Sequence, residues 1–425
     1  MKNEAAKSSP YRWAVLAAFM LVTAAVQAQW VSLAPVARAA ERFYGGQIAA
    51  GSPFGVDFLA MSYLLVYLVA ALPASYVIDT YGIRVGVGIG SLLCVAGGLV
   101  KGLFAGSFAA VLAGQLVLAV AQPFVINAAT AVCARWFPLG ERGLAVGLAS
   151  LAQYLGIVLA MVVGPLVVAG DPSSPAYGAG VDSLLLAYGL GTAAAALACL
   201  ALLRERPREA VEEAVERQGS LAGMKTLFAS RDYRLLLALF TIGLGIFNAL
   251  SSLVDAVAGH LGVSDSDGLI GTFMIGAGIL GALVIPLASD AAGKRKPFLA
   301  LCMAGMVPGV AGLAFARFLA PDPAGAYLVA KISAALLGFF VMAAGPVGFE
   351  YAAEIGRPAP ESTSQGLLLL SGQVSGIVFM SLMGVKGLLG PVLTAFSALS
   401  LVCLAATFAL RESALLAGAK AKTGA

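Results

Sequence analysis

The sequence predicts an all-α integral membrane protein with twelve transmembrane helices in two six-helix bundles. Three observations predict it. Of 425 residues, 60% are hydrophobic and 11% are charged, against about 25% charged in a soluble domain. So much apolar surface cannot be hidden by the chain packing on itself, so the bilayer is its solvent. Second, twelve apolar runs each reach the roughly 20 residues that a spanning helix needs. Third, a pattern repeats. Gly143–Pro165 reads GLAVGLASLAQYLGIVLAMVVGP, and much later the chain reads GLLLLSGQVSGIVFM; both contain Gln-x-x-Gly-Ile-Val. An echo at a half-chain offset, with both halves running the same way, marks parallel repeats.

The first six runs are Trp13–Val36, Phe54–Ile78, Val85–Phe104, Phe108–Trp136, Gly143–Val168 and Ser183–Leu203. The second six are Tyr233–Ala258, Leu269–Ala288, Pro297–Leu319, Ala324–Ala353, Ser364–Val385 and Leu388–Leu410. Residues 1–203 therefore form one bundle and 233–425 the other. The stretch 204–232 is a polar linker, whose RERPREAVEEAVERQ pairs Glu with Arg at helical spacing. All but six of the 26 Lys and Arg fall on one side of the membrane; Arg38, Arg42, Lys101, Arg317, Lys331 and Lys386 are the exceptions. Positive-inside bias puts both termini and the linker in the cytoplasm. The expected location is a cell membrane, of the bacterial inner-membrane type, and the expected state is a monomer.

Composition also excludes functions. The net charge of +4 is small and most basic residues lie in loops, so there is no stripe for nucleic acid. The five cysteines, Cys94, Cys133, Cys199, Cys302 and Cys403, form no CxxC and sit in or beside apolar runs, where they act as small core residues. His260 is the single histidine. No nucleophile–base pair and no metal-ligand spacing occurs, so neither enzyme chemistry nor a cofactor is expected. The first run has a full spanning length, and Trp30 and Arg38 stand where a leader cleavage site would need small residues.

Two loops have the composition of a gate. After the second run the chain reads PASYVIDTYGIRVG, with Asp79, Gly82 and Arg84; the matching loop of the second half reads ASDAAGKRKP, with Asp290, Gly293 and Arg295. Gly permits a short turn. An Asp at a helix end that pairs with an Arg can latch one conformation and release in the other. The alternative is an ordinary charged cytoplasmic turn.

At about 1.5 Å per residue, Trp30 lies just beyond the middle of the first run. Gln122 and Asn127 lie mid-depth in the fourth, Gln153 and Tyr154 in the fifth, Phe247 and Asn248 in the seventh, and Gln373 in the eleventh. An amide in hydrocarbon is costly without a partner, so these residues are the expected substrate site between the two halves. Each has a rival role: Trp30 in an interfacial belt, the amides in bonds between neighbouring helices, Phe247 in packing. Asp57, Asp255 and Glu350 are the candidates for proton coupling. The charged groups lie away from the midplane, which favours a neutral solute or a soft cation.

The loop motif and helix count resemble the major facilitator superfamily. AQWVSLAPVARAAERFYG, VDFLAMSYLLVYLVAALPASYVIDTYGIR, GQLVLAVAQPFVINAATAVCARWF, GFEYAAEI and SGQVSGIVF together resemble the transporters related to the feline leukaemia virus subgroup C receptor. That resemblance implies passage of small organic solutes by alternating access. Its members are associated with choline and ethanolamine, with pyridoxine in one branch, and with haem in older proposals. It also implies a Trp on the first helix, met by Trp30, and a Gln on the eleventh, met by Gln373. The family's fifth-helix Gln falls at Tyr154, one step after Gln153, and its seventh-helix Tyr falls at Asn248. The expected partners are a small-molecule substrate and lipid. The alternatives are a proton-coupled exporter or antiporter of a vitamin, carboxylate or drug, and a membrane sensor that does not transport.

Overall fold

A computed structural model describes residues 10–48, 54–169, 173–205, 219–263 and 268–413. The side chains of Asp57, Ser220 and Asp255 lie outside that description, as does the Glu–Arg stretch from 206 to 218. The described residues are almost wholly helical. The helices are α1 (Tyr11–Trp30), α2 (Ala37–Tyr44), α3 (Val56–Tyr81), α4 (Ile83–Leu103), α5 (Phe108–Ile126), α6 (Ala129–Trp136), α7 (Arg142–Val167) and α8 (Val181–Leu202). They continue with α9 (Ser220–Ala229), α10 (Arg231–Ser252), α11 (Val254–His260), α12 (Leu269–Ala292), α13 (Lys296–Leu319), α14 (Pro323–Ile355), α15 (Glu361–Gly384) and α16 (Leu389–Phe408). Among the described residues, twelve helical segments are long and apolar enough to cross a membrane. With no water in hydrocarbon, each span must satisfy its own backbone, and helices do so.

The chain divides into two compact units. One takes Met1–Phe137 with Ala152–Ala214; the other takes Pro138–Leu151 with Val215–Ala425. Helix α7 is thus shared, its first turns belonging to the second unit. The first unit is built on α4 packed against α5 and α8, with α3 on α5 and α1 on α8. The second is built on α14 against α12 and α13, with α10 on α15 and α13 on α16.

Two expected spans are broken. The first run was expected as one helix to Val36; α1 ends at Trp30 and a 3₁₀ turn follows at Ala34–Val36. Pro35 has no N–H to donate, and its ring would strike the carbonyl of Val31 in a continuous helix. Trp30 is therefore the last residue of α1, not a residue within a longer helix. The fourth run is likewise divided into α5 and α6 at Asn127 and Ala128, just after Pro123.

Beyond the first break, Tyr44 is fully buried and donates from its hydroxyl to Ala105 O at 2.6 Å. Gln47 accepts from Phe108 N and donates to Gly106 O, both at 2.8 Å. The sequence Arg42-Phe43-Tyr44-Gly45 thus anchors the end of α2 on the turn between α4 and α5. All five cysteines are buried and free, as expected of core residues.

Candidate functional site

The repeated Gln-x-x-Gly has a packing cause that is the same in both units. A Cβ on Gly156 would collide with the carbonyl oxygen of Ala24 in α1, and a Cβ on Gly376 would press on Asn248 of α10. The glycine of each copy therefore lets its helix lie directly against the first spanning helix of its own half. Residues three apart share a helix face, so Gln153 and Gln373 sit one turn before those contacts. Both are half-buried, and neither has a hydrogen-bond partner among the described residues. Such an amide retains four unused hydrogen-bonding positions, which suits a group that binds something else.

In the first unit, Trp30 is half-buried and donates from Nε1 to Ala60 O at 2.9 Å. Its ring stacks beside Tyr63, centroids 6.4 Å apart at 24°. Trp30, Ser32, Ala60 and Gln115 help to line a small cavity of ≈ 100 Å³. The Gln122 amide donates to Gln27 Oε1 at 2.7 Å. Tyr154 is half-buried beside Gln153 on α7. In the second unit, Phe247 is buried, and Asn248 is half-buried with its amide donating to Gly372 O at 3.3 Å.

Asn127 is occupied differently. It is fully buried at the break after α5, accepts from the Tyr67 hydroxyl at 2.7 Å, and donates to Ala71 O and Ser75 Oγ, both at 3.1 Å. Its amide is used within the first unit, tying α3 to the broken fourth span. Gln122 is half-way to the same condition, with Gln27 as a partner that sequence inspection missed.

Each of the two loops lies beside charged side chains of its own unit, but the expected gate pair of the first loop is not what holds it: Arg84 takes part through its backbone N–H, and an ion pair there is Glu205–Arg135. Gly82 has φ of 96° and joins α3 to α4, a conformation that favours glycine. A Cβ there would meet the Glu205 carboxylate. Glu205 also accepts from the backbone N–H of Arg84 at 2.8 Å and pairs with Arg135 at 3.4 Å. Asp79 sits in the last turn of α3, half-buried. The role of Glu205 was not legible in sequence, where it reads as part of the linker.

In the second unit, Asp290 accepts from the backbone N–H of Leu144 at 2.8 Å. It thus caps the first turn of α7 from another helix, where the dipole favours an anion. A Cβ on Gly143 would push against that carboxylate and force it to shift. Arg295, fully buried, donates to Asp290, to Ser289 Oγ at 3.1 Å and to Glu354 Oε1 at 3.1 Å. Burial opposes the charge on Arg295, but the carboxylates of Glu354, Glu350 and Asp290 outweigh it and hold the guanidinium above its usual range. Glu350 and Arg142 are buried in the same region. Such buried groups are costly to separate once paired. Asp57 and Asp255 belong to the first turns of α3 and α11, and their side chains lie outside the description. No group of His, Cys, Asp and Glu able to hold a metal occurs among the described residues.

Known proteins agree with this architecture. A family model described as the Major Facilitator Superfamily matches residues 15–380. Solute carrier family 49 member A3 of Xenopus tropicalis is 30% identical over 87% of this chain and 77% of its own. The human choline/ethanolamine transporter FLVCR2 is 28% identical over 88% of this chain and 71% of its own. Among solved structures, the proton:xylose symporter XylE matches with a TM-score of 0.72 at 14% identity, covering 95% of this chain and 97% of that one. The E. coli fucose:proton symporter FucP matches with a TM-score of 0.71 at 17% identity, over 95% and 98%. The chain is a membrane transporter, not an enzyme, and it belongs to the major facilitator superfamily, alongside the solute carrier 49 and FLVCR-type transporters.

Proposed function

We propose that this transporter carries a small organic solute of the choline-like amine class. The observation that carries the proposal is the pair of half-buried, unpartnered amides, Gln153 and Gln373, at equivalent points of the repeat. The candidate binding residues of the first unit are Trp30, Gln122, Gln153 and Tyr154; those of the second are Phe247, Asn248 and Gln373. The amides take the hydroxyl or amine of the solute. The rings of Trp30 and Tyr154 take the cationic head, an attraction worth about 0.5–2 kcal/mol per ring. The FLVCR2 relative, named for choline and ethanolamine, supports the substrate class.

Asn127 acts as a structural tie in this scheme. Asp79 and Arg84, and Asp290 and Arg295, latch the cytoplasmic side through the glycine turns that carry them. The distribution of Lys and Arg supports cytoplasmic termini in a cell membrane. A thermal-shift screen of the purified protein against amines, vitamins and carboxylates tests the substrate class. Choline at 100 times its Kd should stabilise the fold by about 2.7 kcal/mol. Stabilisation by carboxylates alone would overturn the amine assignment.

A second reading has its own observation. Glu350 is 1% exposed, and one of its carboxylate oxygens has no hydrogen-bond partner. It lies with Glu354 and Asp290 near Arg295 and Arg142, three acids to two bases. A buried cluster with surplus acid suits a proton-coupled cycle. Loss of the pH dependence of uptake in Glu350→Gln, with uptake retained, would favour this reading.

A further inference from the structure

The break in the first membrane helix is held by a buried lysine that the sequence places among the outer-side charges. Lys101 of α4 is 0% exposed. Its ammonium donates to Gln29 O at 3.0 Å, to Ser32 Oγ at 2.7 Å and to Gln115 Oε1. A lysine has three donors and no acceptor, so these bonds use its whole capacity. None of the three partners is a carboxylate.

Two of the acceptors belong to the end of α1 and the turn after it. The last carbonyls of a helix lack partners within it, and they carry the negative end of its dipole. Lys101 therefore caps α1 at its C-terminus from a neighbouring helix. That explains how the amine is accommodated in the interior without an acid: it is met by three acceptors, two of them at the negative end of a helix. The third acceptor extends the network. Gln115 donates from Nε2 to Trp30 O at 3.2 Å and to Leu59 O at 2.9 Å. Ser32 in turn donates to Gln29 O at 3.1 Å. The backbone on both sides of Trp30 is thus tied through Lys101 to α4, α5 and α3.

We propose that Lys101 is a positioning residue: by clamping the break after Trp30, it fixes the indole in the orientation that binds substrate. This rests on the role given to Trp30 above. The network faces the small cavity, since Ser32, Gln115 and Trp30 all line it. A loosened clamp would admit water beside the indole and let its ring turn.

The test uses the full-length protein in proteoliposomes. The chain has three tryptophans, so Trp13→Phe with Trp136→Phe leaves Trp30 as the sole emitter. Lys101→Met should at least double the acrylamide quenching of Trp30 and shift its emission to the red. Lys101→Arg, which keeps a cation with several donors, should show less than half of that change. In the same vesicles the apparent KM for choline should rise about tenfold in Lys101→Met, with the maximal rate within twofold of the parent. A lysine that only stabilised the fold would lower protein yield and leave both quenching and KM of the folded fraction unchanged; that result overturns the proposal. Where Lys101→Met does not fold, Ser32→Ala and Gln115→Leu each remove one acceptor and are read the same way. Altered quenching in a protein that carries no choline supports the clamp and refutes the amine assignment instead.

Discussion

Trp30 ends a helix, and its indole N–H is already committed to Ala60 O. What remains for a ligand is the apolar face of the ring, which is the part that attracts a quaternary ammonium. Gln373 is the converse: no polar atom of its amide is committed within the described fold. Trp30→Ala should therefore weaken choline binding by about tenfold, and Gln373→Ala by about fivefold, since one hydrogen bond contributes roughly 1 kcal/mol. Protein yield should be unaffected in both. Calorimetric titration reads the Kd, and an unaltered value in Trp30→Ala removes the residue from the site. Asn127→Ala behaves in the opposite way. It should lose folded protein, because it strands the buried Tyr67 hydroxyl and Ser75.

At the scale of the helix, the repeat is a packing device. Gly156 brings α7 onto α1, and Gly376 brings α15 onto α10. Gly156→Val should cost about 1–3 kcal/mol by overpacking and lower the yield of extractable protein. Gly191→Val in α8 is the control, since nothing stands within 4 Å of a Cβ there; equal losses at the two positions would contradict a packing role for the repeat. The twelve spans, the gate loops and the paired glutamines were legible in the sequence because each leaves a local mark: an apolar run, a glycine before a basic residue, an isolated amide. The break at Val31 was less legible, because Pro35 lies within an otherwise spanning pattern, and the break at Asn127 because its side chain finds its partners only in the tertiary fold. Lys101, Gln115 and Glu205 were not legible as partners at all. Lys101 reads as an ordinary outer-end charge, and only the tertiary fold brings it to the end of α1.

At the scale of the molecule, the two units share an architecture and differ in chemistry. The first unit holds the Trp30–Tyr63 ring pair and a lysine buried without an acid partner. The second holds the cluster of Asp290, Arg295, Glu350 and Glu354 that engages the start of α7. The buried polar chemistry of the two units thus differs in kind: an amine held by neutral acceptors in the first, an acid–base cluster in the second. Counterflow of radiolabelled choline into proteoliposomes preloaded with unlabelled choline is the sharpest test of choline-class transport, because it requires a full alternation of access and no coupling gradient. Saturable accumulation that Trp30→Ala and Gln373→Ala depress is the expected result. Counterflow no greater than in empty vesicles, from a protein that is folded and stabilised by another solute, would contradict choline-class transport.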